Sequence, residues 1–258
     1  MKDCKLLLFD LDGTLLRSDK TISDRTLKAL ENARKRGILV GISTSRSEVN
    51  CEKFLSSLRP DVFISCGGAL VKAGERVLLE AAFTPDETME FIREARGRFG
   101  SGVEMTVDTR EKHYWNYKID PKTLDATWGA AIYTDFEHVD QPCLKFCVET
   151  TEEDALWDWV QGMDGVDVIR FSDGNWYKFT KKNATKENAI RETAKMLGID
   201  ISSITAFGDD YADIGMLKLC GVGVAMGNAI PEVKEAADLT IGSNDRDGIA
   251  EYLERILA

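Results

Sequence analysis

The chain has 258 residues, 43% hydrophobic and 30% charged, an ordinary globular composition long enough to bury a large core. A formal net charge of −11 works against non-specific binding to nucleic acid or to an anionic membrane surface, though a bound cation still admits an anionic substrate. No apolar run approaches the roughly eighteen residues of a membrane span, the N-terminal apolar run is too short for a signal peptide, and the six scattered cysteines read as reduced core thiols, so a cytoplasmic location is expected.

In chain order, Leu6–Phe9 is expected as a buried strand ending in Asp10-Leu-Asp12-Gly-Thr14. Residues 23–36 follow as a helix, capped by Ser23 and stopped by Gly37, with Leu27, Leu30 and Ala33 on its inner face. Ile38–Ile42 is a strand, Glu48–Leu58 a helix, Val62–Ser65 a strand, and Ala69–Lys72 with Arg76–Leu79 a hairpin. Strand–helix alternation implies a parallel sheet with helices on both faces. The pattern changes near Ala82. Thr84 caps a helix with Pro85 at its first position, and an aromatic-rich, irregular stretch follows, including Tyr114, Trp115, Tyr117, Trp128 and Tyr133. Leu144–Val148, Val166–Phe171 and Trp176–Thr180 read as strands and Glu152–Gln161 as a helix. Alternation then resumes: helix Lys186–Leu197, strand Ile204–Phe207, helix Ile214–Leu219, strand Val222–Ala225, helix Pro231–Ala236, strand Leu239–Ile241 and helix Asp247–Leu257. The expected fold class is α/β, with a discontinuous core of residues 1–81 and 181–258 and an α+β insert over 82–180.

Four polar clusters follow core strands or open core helices: Asp10-Leu-Asp12-Gly-Thr14, Ser43-Thr44-Ser45-Arg46, Lys186, and Gly208-Asp209-Asp210-Tyr-Ala-Asp213. In an open α/β sheet, ligands bind beyond the carboxyl ends of the strands, so parallel strands bring such clusters to one edge. Asp10, Asp209 and Asp213 offer hard oxygen ligands that suit Mg²⁺. Thr44 offers a hydroxyl where a strand passes into a helix, and Lys186 a point charge for a phosphoryl oxygen. A carboxylate nucleophile, a metal, a lysine and a hydroxyl donor form the inventory for phosphoryl transfer. Asp210 reads as a helix cap or a water-mediated metal contact. His113 and His138, which lack partner motifs, are expected on the surface of the insert.

These clusters, in this order and with this insert, resemble the haloacid dehalogenase (HAD) superfamily, and most of all its Cof-type phosphatases of subclass IIB. Gly221-Val-Gly-Val-Ala-Met-Gly-Asn228 and Ser243–Gly248 resemble family segments too. The resemblance implies a HAD-like Rossmannoid core whose insert is a cap, and a phosphatase that acts on small phosphorylated metabolites, with sugar phosphates favoured. Asp10 is then the nucleophile that forms an aspartyl-phosphate, and Asp12 the acid that protonates the leaving alcohol and later activates water. Metal ligation is implied for Asp10, for Asp12 through its main-chain carbonyl, and for Asp209; Asp213, Asp210 and Asn228 support them. Two positions depart from the family pattern. Ser45 stands where glycine is usual, which implies strain if φ is positive, although its amide still suits phosphate. Ala212 replaces an asparagine in the fourth motif. Phosphomutase activity and non-catalytic sugar-phosphate binding are the alternatives. Specificity is expected from insert loops near Tyr114–Tyr117 or Asp173–Tyr177.

Overall fold

A computed structural model of the protein describes residues 4–117, 131–171 and 174–258; Trp128 and Asp173, singled out in the sequence, lie outside them. The first sheet has the order β14-β13-β12-β1-β2-β3-β4-β5 among the described residues. Its strands are β1 Leu6–Phe9, β2 Leu39–Ser43, β3 Val62–Ser65, β4 Leu70–Ala73, β5 Arg76–Glu80, β12 Ile204–Gly208, β13 Val222–Ala225 and β14 Leu239–Thr240. The pairs from β14 through β3 are parallel, and β3, β4 and β5 pair antiparallel. Such central strands are covered on both faces, which is why they read as continuous apolar runs. Leu6, Leu7, Leu8, Phe9, Ala206 and Phe207 are all buried.

Helices α1 Asp24–Lys35, α2 Glu52–Leu58, α5 Lys186–Leu197, α6 Ile214–Leu219, α7 Pro231–Ala236 and α8 Gly248–Ile256 accompany this sheet. Ser23 caps α1 as expected, its side chain accepting from the Thr26 amide. The expected helix from Glu48 starts instead as a 3₁₀ turn, Val49–Cys51, because no side chain caps its first amides. Strand order reverses at β1, with β2 on one side and β12 on the other. This switch point opens a crevice at the carboxyl ends of β1 and β12.

The second sheet has the order β10-β11-β9-β6-β7-β8. It comprises β6 Met105–Asp108, β7 His113–Trp115, β8 Ala131–Tyr133, β9 Lys145–Glu149, β10 Val166–Arg170 and β11 Trp176–Lys181. Strands β6, β7 and β8 fall in the stretch expected to be irregular. Each is only three or four residues long, too short for period-two alternation to stand out. Helices α3 Pro85–Phe99 and α4 Glu153–Gln161 cover one face, closing a cluster that includes Phe91, Ile92, Met105, Phe146, Trp159 and Phe179. Thr84 and Glu87 form a capping box at the start of α3. A smaller cluster of Cys66, Ala69, Leu70, Leu144 and Ala184 lies where the two sheets meet. The six cysteines are free thiols. Among the described residues no helix is long and apolar enough to cross a membrane.

Candidate active site

Asp10 and Asp209 directly follow the adjacent strands β1 and β12, and the Asp10 amide donates to the Phe207 carbonyl at 3.0 Å. With Asp213 they form a group whose carboxylate oxygens lie within 4.8 Å of one another. The loop after β1 passes so close that a Cβ on Gly13 would fall 2.1 Å from Asp209 Oδ2; Gly13 also has φ +74°, so glycine is required twice over. The Thr14 hydroxyl donates to Asp209 Oδ1 at 2.7 Å.

Lys186, at the start of α5, points its ammonium into this group, donating to Asp10 Oδ1 at 2.7 Å and Asp213 Oδ1 at 2.6 Å. The other oxygen of Asp213 accepts from the Asp209 and Asp210 amides at 2.9 and 3.1 Å. Asp213 thus fixes the fourth-motif loop without help from position 212. Asp210 caps the turn Tyr211–Asp213, accepting from the Tyr211 amide at 2.7 Å. Asn228 ties two loops together, donating to the Gly13 carbonyl at 2.8 Å and accepting from the Asn244 amide at 3.0 Å.

Three carboxylates here face one lysine. Burial pushes the Asp10 carboxyl well above the usual range against the pull of Lys186, with Asp213 and Asp209 adding repulsion. Burial and Asp213 likewise raise Asp209 to about 7. Burial alone would lower Lys186, but Asp10 and Asp213 overcome it and raise its pKa. An all-oxygen donor set with excess negative charge fits a hard divalent cation, which would restore the ionised carboxylates.

Asp12 belongs to a different set. Arg46 grips its carboxylate with Nε at 2.6 Å and Nη2 at 2.8 Å, and Lys20 adds a third bond at 2.7 Å. Burial would raise this group, yet Arg46 and Lys20 hold it down at about 2. The Asp12 side chain stands outside the acidic group.

Thr44 follows β2 and is buried; its hydroxyl accepts from the Arg46 amide at 3.1 Å, leaving its hydrogen to donate. Ser45 has no left-handed φ, so the expected strain is absent. Its carbonyl accepts from Lys145 of β9 at 3.0 Å, a direct link between the sheets. Lys145 also pairs with buried Asp108 at 2.9 Å, and Asp108 accepts from, or shares a proton with, His113 Nδ1 at 2.7 Å. His113 is therefore buried in this polar cluster and not on the surface as expected, because a carboxylate and an ammonium inside the fold give it partners; His138 is exposed. A cavity of about 500 Å³ opens between Val168–Phe171 and Tyr211, beside the loop that carries Asp209.

Sequence reasoning placed Asp10, Thr44, Asp209 and Asp213 at one sheet edge and Lys186 at the start of a helix. It missed Lys20 and did not single out Lys145. Lys145 left a signal: it is the one charge within the run Leu144–Val148, and alternation puts it on the face opposite Phe146 and Val148.

The sequence profile of haloacid dehalogenase-like hydrolases matches residues 7–253. The chain is 29% identical over 254 residues to 5-amino-6-(5-phospho-D-ribitylamino)uracil phosphatase YcsE of Bacillus subtilis, covering 97% of this chain and 95% of that one. It is 28% identical over 282 residues to pyridoxal phosphate phosphatase YbhA of Escherichia coli, covering 96% and 97%. Among solved structures, the HAD subclass IIB sugar phosphatase BT4131 superposes with a TM-score of 0.83 at 25% identity, covering 98% of each chain. With acidic residues at the ends of β1 and β12 and a second sheet beside them, matched by profile along nearly its whole length, the chain belongs to the haloacid dehalogenase-like hydrolases.

Proposed function

We propose that the protein is a Mg²⁺-dependent phosphatase of small phosphorylated metabolites, sugar phosphates among them, with residues 82–180 as a cap over the site. The observation that carries this is Asp10 at the switch point, one oxygen held by Lys186 and the other side of the group shared with Asp209. With Oδ1 engaged, Oδ2 of Asp10 is the atom left to attack phosphorus. The phosphorus–oxygen bond to the alcohol breaks as an aspartyl-phosphate forms, and Asp12, ionised beforehand, relays to the leaving oxygen a proton that it takes from the entering ester's phosphate monoanion. Water then attacks the same phosphorus, Asp12 takes the proton, and Asp10 leaves as a carboxylate with inorganic phosphate. The Asp12 carboxylate clamped by Arg46 and Lys20 is in the form that serves the second step. Thr44 and the Ser45 amide receive phosphoryl oxygens, and Lys186 offsets their charge while orienting Asp10. Asp10, the Asp12 carbonyl and Asp209 would hold Mg²⁺, which supplies charge neutralisation at the transferring group.

The relatives support small substrates: one is named for a ribitylaminouracil phosphate and another for pyridoxal phosphate, while BT4131 is a sugar phosphatase. Buried free thiols fit a reducing, cytoplasmic setting. Ser45 has no left-handed φ and Asp213 holds the loop that carries Ala212, which supports catalysis over simple binding. The test is release of inorganic phosphate from a panel of phosphorylated sugars, nucleotides and pyridoxal phosphate with Mg²⁺. Asp10→Asn is expected to abolish release while the protein stays folded. Isomerised ester without free phosphate would instead show transfer, and no reaction with any ester would overturn the proposal.

A further inference from the structure

Alternation along the second sheet gives it two unlike faces. Phe146, Val148, Tyr177 and Phe179 point to α3 and α4, while Lys145, Cys147 and Lys178 point the other way. The latter face meets the loops at the ends of β2 and β3. Lys145 reaches the Ser45 carbonyl, and Lys178 lies so close to Gly67 that a Cβ there would fall 2.2 Å from its Nζ. Three buried lysines therefore converge beside the site. Lys186 has Asp10 and Asp213, and Lys145 has Asp108. Lys178 is 2% exposed, and among the described residues it has no hydrogen bond and no carboxylate within ion-pair distance.

An uncompensated buried ammonium is expensive. Burial, then Lys186, then Lys145, push the Lys178 pKa down to about 8, which still leaves it cationic at neutral pH. Its direct partner in the β9–β11 register, Cys147, is neutral, as is Thr106 opposite Cys147 on β6; Lys145 and Glu149 flank Cys147 on the same face, the first a second cation and the second not in ion-pair contact with Lys178. A cation kept at the seam of the two sheets, with no anion of the protein's own, fits an anion brought by the ligand.

That anion differs from the transferring phosphoryl group, whose receptors cluster around Asp10. Gly67 follows β3, one strand beyond β2, which Thr44 follows, and two from β1. Its amide donates to the Thr44 carbonyl at 2.9 Å, so Lys178 stands on the far side of Thr44 from the nucleophile's strand. A phosphate ester of three or more carbons spans that gap. We propose that Lys178 forms an anion subsite on the leaving-group side, and that the preferred substrates are small phosphate esters carrying a second negative group, a carboxylate or another phosphate. This rests on the phosphatase proposal above and narrows its substrate class.

Two matched pairs separate the sources of the second charge: 3-phosphoglycerate against glycerol 3-phosphate, and fructose 1,6-bisphosphate against fructose 6-phosphate. In at least one pair the doubly anionic ester is expected to exceed its partner in kcat/KM by about tenfold or more. Lys178→Met, with Lys178→Gln as a second variant, is expected to lower that ratio about tenfold and to raise the thermal midpoint by removing an uncompensated charge. Wild-type ratios near unity in both pairs would overturn the subsite. So would an equal loss on both members of a pair, which would place Lys178 on the transferring phosphoryl group. Calorimetric binding of the intact esters to Asp10→Asn protein, with and without Lys178→Met, reads the same ratio without turnover. A wild-type protein that hydrolyses neither these esters nor any of the wider panel defeats the phosphatase proposal, while calorimetry still decides the role of Lys178.

Discussion

At the residue scale, the site is a problem of charge. Asp10, Asp209 and Asp213 are crowded within 4.8 Å with one lysine between them. The metal-free protein should therefore favour a proton on Asp209. Its carboxyl is raised from 3.8 to about 7, so this contribution to stability is full below pH 3.8 and disappears as pH rises through about 7. A divalent cation at this group would require the ionised form, so the gain in thermal midpoint on adding Mg²⁺ should grow across that interval; a gain that does not vary with pH would refute it. Asp12 shows the opposite sign. Arg46 and Lys20 outweigh its burial and keep it ionised down to about pH 2. Lys20→Met removes one of the two cations, so Asp12 should take up its proton at higher pH, and the acidic limb of the kcat profile, which includes attack by water, should move to higher pH with it. An unmoved limb would show that Lys20 does not tune Asp12.

At the element scale, short segments at strand ends place the chemistry. The loop from β1 crosses Asp209 at a distance only glycine allows. Gly13→Ala should cost about 2 kcal/mol in strain and clash, read by denaturant unfolding, and should reduce phosphate release by displacing Asp209. Helix signals were legible because their causes are local: Ser23 and the Thr84–Glu87 box cap their own helices, and Pro85 sits at a first position where no amide bond is lost. Strands β6, β7 and β8 were not legible. Their stability comes from neighbours distant in sequence, such as Thr106 opposite Cys147, and three or four residues carry too little pattern alone.

At the scale of the whole molecule, two sheets with different interiors share one seam. The central strand β1 of the first is wholly apolar, while the second turns a polar face toward the strand ends of the first. Asp108, fully buried, is held below the ordinary carboxylate range because Lys145 and His113 outweigh its burial. Lys145→Met leaves that carboxylate with His113 alone and removes the bond to Ser45. It should destabilise the protein by about 3 kcal/mol or more in denaturant unfolding, with Lys145→Arg retaining part of the loss. An effect under about 1 kcal/mol would show that the strut carries little of the fold.

The sequence by itself determined the parallel sheet, most helix boundaries, and the placing of Asp10, Asp209, Asp213 and Lys186 at strand and helix ends. These follow from periodicity, capping and the rule that parallel strands share one carboxyl edge. Only the tertiary structure decided how charges pair across that edge. It showed that Asp12 faces Arg46 and Lys20 instead of the acidic group, that Asp213 is occupied in holding its own loop, and that His113 is buried against Asp108. It also showed Lys178 unpaired beside Gly67. Ion pairing depends on a few ångströms between residues far apart in the chain, and no local pattern encodes that distance.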